Sequence, residues 1–296
     1  MRLSQATTHF TRQLAANGCS VHTQKAYARD LAAFARWLGR DGSLSAIKHD
    51  DLARFLISDE VLNTLDGQPR KPITINRTKS ALRSFFQFCV ESGWIKENPA
   101  RLIRSAPAAA KEPSTLTDDE IRRLRAVLAE NKGQFAARDR LIFEIMLGTG
   151  IRLGSLVGLN VGDIDLQTGT LHIRAKGGAQ ERAFLDSGLA AMLASHLGES
   201  AAEAKRGGNL PLIRSKSGRR LGGRQIQLNF ARWVRLAGIS RPFSVHSLRH
   251  TFATHLYQKT GDLYLVQRAL GHRQITTTEI YARVSDDRLR RAVSVA

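Results

Sequence analysis

Thr170-Leu171-His172-Ile173-Arg174-Ala175-Lys176-Gly177-Gly178-Ala179-Gln180-Glu181-Arg182-Ala183-Phe184-Leu185 is the stretch on which the fold class turns. Its arms, Thr170 to Arg174 and Glu181 to Leu185, alternate apolar and polar residues with period two, the mark of half-buried strands. Lys176-Gly177-Gly178 between them is a turn signal. Only residues 161–185 carry a sheet-like pattern, and elsewhere the apolar residues recur at helical spacing. The spacing predicts a mainly α chain with one small antiparallel β-sheet.

Toward the C-terminus the pattern is helical from Ser187 onward, apart from Gly-rich and basic connections near Gly207 and at 216–223. On the other side, Gly148-Thr149-Gly150-Ile151-Arg152 closes two helical stretches, one ending at Glu130 and one over 136–147. The first opens on Thr117-Asp118-Asp119-Glu120, a capping box in which Thr117 and Glu120 satisfy orphan amides. Residues 104–114 hold two prolines and no periodicity, which predicts an extended linker. The first hundred residues read as helices throughout: a weak one over 8–16, then one capped by Ser20 with an apolar stripe of Tyr27, Leu31, Phe34, Trp37 and Leu38. A third covers 47–57, with Asp50 and Asp51 near its positive end. Pro72 and Gly93 bracket a fourth, with Leu82, Phe85, Phe86 and Cys89 on one face and Arg77, Lys79 and Arg83 on the other. The expected division is a helical bundle at 1–103, a linker at 104–115, and a second domain of mixed α/β structure at 116–296. No internal repeat is present.

The 296 residues are ample for two cores, and 42% hydrophobic with 24% charged residues is ordinary for a globular chain. The charge balance is not ordinary. Forty-five Lys and Arg against 26 Asp and Glu leave +19, a self-repulsion for which a polyanionic partner is the simplest reason. Residues 1–110 hold 16 basic and 9 acidic side chains and the remainder 29 and 17, so both parts are basic. Such a partner is expected to be gripped from two sides. Cys19 and Cys89 form no disulfide framework and no Cys-x-x-Cys pattern. With no apolar leader segment and no run of transmembrane length, the expected location is cytoplasmic and no membrane is involved.

The chemistry concentrates in the last quarter, where His246-Ser247-Leu248-Arg249-His250 precedes Leu270-Gly271-His272 and then Tyr281. An imidazole, a guanidinium, a second imidazole and a lone phenol in that order suit cutting of a phosphodiester by a tyrosine. His246 and Arg249, three apart, share a helix face and can reach one phosphate. Gly271 permits a helix stop that turns His272 back toward that site. Arg152, before apolar Leu153, Leu156, Val157 and Leu159, is expected to be partly walled by core side chains. Taken singly, an isolated arginine is usually a surface residue, and a lysine in a hairpin turn such as Lys176 is usually just solvated. His246 and His250 also have the spacing of a zinc-binding helix, but Ser247 stands where a hydrolytic zinc helix needs Glu, and Arg249 would bring positive charge beside the ion. No metal site is expected.

Thr149-Gly150-Ile151-Arg152, Lys176 in its hairpin, His246-Ser247-Leu248-Arg249-His250-Thr251-Phe252-Ala253-Thr254, Leu270-Gly271-His272 and Thr277-Thr278-Glu279-Ile280-Tyr281 together resemble the tyrosine recombinases, or phage-type integrases, and especially their bacterial Xer-like members. The resemblance extends over nearly the whole chain. It implies an N-terminal helical core-binding, SAM-like bundle and a tyrosine-recombinase catalytic domain. It implies Tyr281 as nucleophile, with Arg152, Lys176, His246, Arg249 and His272 completing the site. Two guanidiniums suit the charge gathering on the non-bridging oxygens, a lysine can protonate the leaving 5′ oxygen, and His246 can take the phenol proton. With these donors and no carboxylate cluster, no metal or ATP cofactor is implied. Two positions depart from the family pattern. Ser155 stands where an acidic residue is usual, which puts efficiency in doubt, and Val245 stands where Pro is often found.

The implied partner is double-stranded DNA. Phosphate contacts are expected from Lys25 and Arg29, from Arg77 and Lys79, and from Arg224 and Arg232, although each singly also reads as part of a solvated face. The resemblance implies a homotetramer, or a heterotetramer with a related recombinase, on two duplexes, and recombination through a 3′-phosphotyrosyl bond and a Holliday junction. The alternatives are a type IB topoisomerase-like enzyme and a non-catalytic DNA-binding accessory protein. The unbroken set of six site residues argues against the latter.

Overall fold

The computed structural model describes residues 1–39, 41–107, 114–133, 135–174, 180–198, 209–271 and 278. They divide into two compact units, Met1–Ala110 and Lys111–Ala296.

In the first unit, helix α1 spans Leu3–Ala16 and buries Leu3, Ala6, Phe10 and Leu14 along one stripe. It starts five residues before the expected position 8. Gln5 accepts from the Arg2 amide at 3.3 Å and Asp41 accepts from the Ser4 amide at 3.0 Å, which takes up N-terminal amides that periodicity alone cannot place. Ser20 caps α2 (Val21–Leu38) as expected, its Oγ accepting from the Thr23 amide at 3.1 Å. Helix α3 (His49–Leu56) opens with Asp51 accepting from the Lys48 amide at 2.9 Å. A one-turn helix, α4 (Asp59–Leu62), is too short for periodicity to reveal. Helix α5 (Pro72–Glu91) takes Pro72 in its first turn, and its Leu82, Phe85, Phe86 and Cys89 are fully buried. The core is aromatic: Phe86 meets Phe34 and Phe85 edge-on, with ring centroids 6.3 and 5.0 Å apart.

The opposite face of α5 is less free than its sequence suggests. Arg77 donates through Nε and Nη2 to both carboxylate oxygens of buried Asp30, at 2.9 and 2.8 Å. Arg83 donates to the Ile103 carbonyl and the Ser105 hydroxyl. These two arginines brace the bundle from within.

In the second unit, α6 (Asp118–Glu130) begins with the capping box: the Glu120 amide donates to Thr117 Oγ1 at 3.2 Å, and the Thr117 amide to Glu120 Oε2 at 2.8 Å. Helix α7 (Ala136–Thr149) runs two residues past its expected end and stops where Gly150 turns left-handed, at φ +63°. After the short α8 (Leu153–Gly158) come β1 (Ile164–Asp165), β2 (Thr170–Arg174) and β3 (Gln180–Phe184), an antiparallel sheet of order β1-β2-β3. Leu171 pairs with Ala183 and Ile173 with Glu181. Leu171, Ile173 and Ala183 face the core, while His172 and Phe184 face solvent. Among the described residues four helices follow: α9 (Ser187–Leu197), α10 (Gly223–Leu236), α11 (Val245–Thr260) and α12 (Leu263–Leu270).

The second core joins Leu124, Ile145, Leu156, Leu171, Leu193, Ile226 and Leu248. One carboxylate lies in its wall. Buried Asp139 of α7 accepts from Asn229 Nδ2 and Trp233 Nε1 of α10, each at 3.0 Å, and from Arg138 Nη2 at 2.8 Å. Its desolvation is offset by donors from both helices.

Candidate active site

Arg152 is placed by a backbone device. Gly150 ends α7 in the left-handed region, and Arg152 follows in extended conformation as the residue before α8. Gly150 is also held by contact, since a Cβ there would lie 2.3 Å from the Phe252 ring of α11. The expected wall of core side chains around Arg152 is not found. Its side chain is exposed, because Leu156 and Leu159 turn inward while Arg152 stands at the start of the helix, facing a cleft.

Helix α11 carries His246, Arg249 and His250. Arg249 is buried, and its guanidinium spans two segments: Nη1 donates to the Gly150 carbonyl at 2.8 Å and Nη2 to the Leu270 carbonyl at 2.7 Å. One side chain thus ties the loop that carries Arg152 to the end of α12. There Gly271 adopts φ +61°, the left-handed stop expected from the sequence. His246 is held below the usual histidine range by burial of its ring, then by the charges of Arg249 and Arg152. His250 stands edge-on to His246, with centroids 4.7 Å apart, and burial, His246 and Arg249 push it down to about 4. Both imidazoles are therefore neutral near pH 7, so His246 is free to accept a proton. Among the described residues no group of three or more His, Cys, Asp or Glu side chains is disposed to hold a metal ion.

A cleft of about 670 Å³ adjoins these residues, lined by Arg152, Ser155, Glu181, Arg249 and Arg268 over a floor that includes Phe252. Its guanidiniums suit an anionic group. Lys176, His272 and Tyr281 lie outside the described residues. Sequence reading missed Arg268 and Glu181 as lining groups. For Glu181 a signal was present, since period two puts it on the inward face with Ala183, where a carboxylate is out of place.

Of the proposed phosphate contacts, Lys25 and Arg29 are exposed on α2, where Arg29 Nε donates to the Lys25 carbonyl. Lys79 is half-buried on α5, and Arg77 of the same helix is engaged by Asp30. Arg224 and Arg232 are exposed on α10, the latter 5.3 Å from the Trp233 ring centroid.

A bundle and a helix-rich second unit with a small sheet, where Arg152 and Arg249 line one cleft and His246 lies within reach of both their charges, suit a phosphodiester-handling class of enzyme. The model of the phage integrase family matches residues 114–288, and that of the phage integrase N-terminal SAM-like domain matches residues 8–93. The chain belongs to the phage integrase family, the tyrosine-type site-specific DNA recombinases. It is 32% identical to tyrosine recombinase XerC of Salmonella typhi over 286 residues, covering 88% of this chain and 92% of that one. It is also 32% identical to tyrosine recombinase XerC of Thermodesulfovibrio yellowstonii, with 90% and 87% covered. Among solved structures, XerH site-specific recombinase bound to a palindromic difH substrate in a post-cleavage complex is similar at TM-score 0.74 and 26% identity, with 96% of this chain and 84% of that one covered.

Proposed function

We propose that this recombinase cuts and rejoins DNA through Tyr281, whose phenol attacks the scissile phosphorus and displaces the 5′ oxygen to leave a 3′-phosphotyrosyl bond. The bond energy is thereby kept for rejoining. In this reading Arg152 and Arg249 hold the non-bridging oxygens, His272 donates a further hydrogen bond, His246 takes the phenol proton, and Lys176 protonates the leaving 5′ oxygen. The observation that carries the reading is the span of Arg249 between the Gly150 and Leu270 carbonyls, which brings the Arg152 loop and the turn before His272 to one guanidinium. The neutral state of His246 supports its part as proton acceptor. No step calls for a metal ion or a nucleotide cofactor.

The DNA-contact reading gives each basic unit its own share of phosphates. The core-binding unit, 1–103, would contribute Lys25, Arg29 and Lys79, with Arg77 bracing Lys79's helix, and the catalytic unit, 116–296, Arg224 and Arg232. Residues 104–115 would link the two. The assembly that fits is a homotetramer, or a heterotetramer with a related recombinase, on two duplexes, exchanging strands through a Holliday junction in the cytoplasm. No described helix is long and apolar enough to cross a membrane.

Peptide mapping tests the nucleophile. After cleavage of a nicked duplex and nuclease trimming, mass spectrometry is expected to find the nucleotide remnant on the peptide holding Tyr281. A remnant on any other residue refutes the assignment.

A further inference from the structure

Strand β3 sends Ala183 into the core, and Glu181, two residues earlier, shares that inward face. Glu181 is half-buried, and its carboxylate makes no hydrogen bond or ion pair with another described residue. It is the sole acidic side chain among the described residues that line the arginine-rich cleft. A carboxylate there repels a phosphodiester, so toward that ligand it can contribute only by holding a donor, not by touching the phosphate.

Its position shows what it packs against. A Cβ at Gly271 would stand 2.6–2.7 Å from the carboxyl carbon and both oxygens of Glu181, so this group packs directly on the glycine that ends α12. From the same turn the Leu270 carbonyl receives Arg249 Nη2 at 2.7 Å. A guanidinium and a carboxylate therefore both engage Leu270 and Gly271, immediately before His272. Glycine is required there twice, for its left-handed backbone and for the room it leaves Glu181.

We propose that Glu181 is a positioning residue of the cleavage site, its carboxylate fixing the turn at Leu270 and Gly271 relative to Arg152 and Arg249. The inference rests on the reading of the cleft as the site of the scissile phosphate and of His272 as a donor to it. Because Glu181 also belongs to the strand that follows Lys176 in sequence, its effect must be separated from an effect on protonation of the leaving oxygen.

A 5′-bridging phosphorothiolate makes that separation, since a sulfur leaving group needs no proton. The full-length wild type, Glu181→Gln and Glu181→Asp are compared for adduct formation at saturating DNA on oxygen and sulfur substrates, with melting temperatures recorded. Glu181→Gln is expected to cleave about 10–100-fold more slowly on both substrates, the loss typical of removing an orienting partner. Its melting temperature should stay close to wild type, and Glu181→Asp should recover part of the rate. A Glu181→Gln rate equal to wild type, a loss restored by sulfur, or a loss that only follows the melting temperature overturns the inference. Failure of the wild type to form an adduct on either substrate refutes instead the reading of the site on which it rests.

Discussion

At Gly150 two constraints meet: a left-handed φ of +63° and a Phe252 ring 2.3 Å from where a Cβ would stand. Gly150→Ala incurs both the left-handed cost and overpacking, roughly 2–5 kcal/mol in all. Urea unfolding should show it, and a loss below about 1 kcal/mol would mean that the ring simply moves aside. The histidine pair gives a pH prediction with a definite sign. The unfolded chain takes up protons near the ordinary histidine pKa of about 6.5, whereas folded His250 does so only at about 4. Between these values the unfolded state binds more protons, so stability falls as the pH drops through that window. His246, lowered in the same direction, adds to the fall. Replacing His250 with Gln should flatten the stability profile between about pH 6.5 and 4; an unchanged profile would remove His250 as its source.

Among elements, the helix α5 face shows where sequence reading stopped short. Its three basic side chains look alike in sequence, yet Arg77 forks a carboxylate on α2 47 residues away and Arg83 reaches the Ile103 carbonyl. Periodicity assigns a face but not the partner across it. Arg77→Ala leaves Asp30 buried without its fork and should cost about 1–3 kcal/mol, the buried-pair figure discounted for Arg77's partial exposure. Thermal unfolding would register it, and a neutral effect would return Arg77 to the list of free cations. The start of α6 was legible because a capping box is local in sequence, and Thr117→Ala there should cost about 1 kcal/mol. The start of α1 was not, since Asp41 reaches Ser4 from 37 residues away. The hairpin's two arms were readable from alternation alone. Arg152's exposure was not, because a stretch of apolar neighbours does not reveal which residue takes the N-cap position.

For the whole molecule, the basic excess in both units becomes a statement about binding. If each unit contributes several phosphate contacts, affinity for the target duplex should fall roughly 10³-fold or more between 50 and 200 mM salt. Alanine at Lys25, Arg29, Arg224 or Arg232 should lessen that slope, read by titration at several salt concentrations; an unchanged slope would remove that residue as a phosphate contact. The family was legible in the sequence, and the family models match residues 8–93 and 114–288. What sequence could not supply was a tie inside the second region, the buried guanidinium of Arg249 linking Gly150 to Leu270. The matches to tyrosine recombinases, rather than this geometry, favour recombination over a topoisomerase-like or purely accessory role.

The most direct measurement is formation of an SDS-resistant protein–DNA adduct on nicked suicide duplexes drawn from the DNA flanking the protein's own gene, in EDTA, with wild type and Tyr281→Phe side by side. The account predicts an adduct for wild type alone, with DNA binding retained by the variant. An adduct formed by Tyr281→Phe, or none by wild type on a fragment it binds tightly, would contradict metal-free cleavage by Tyr281.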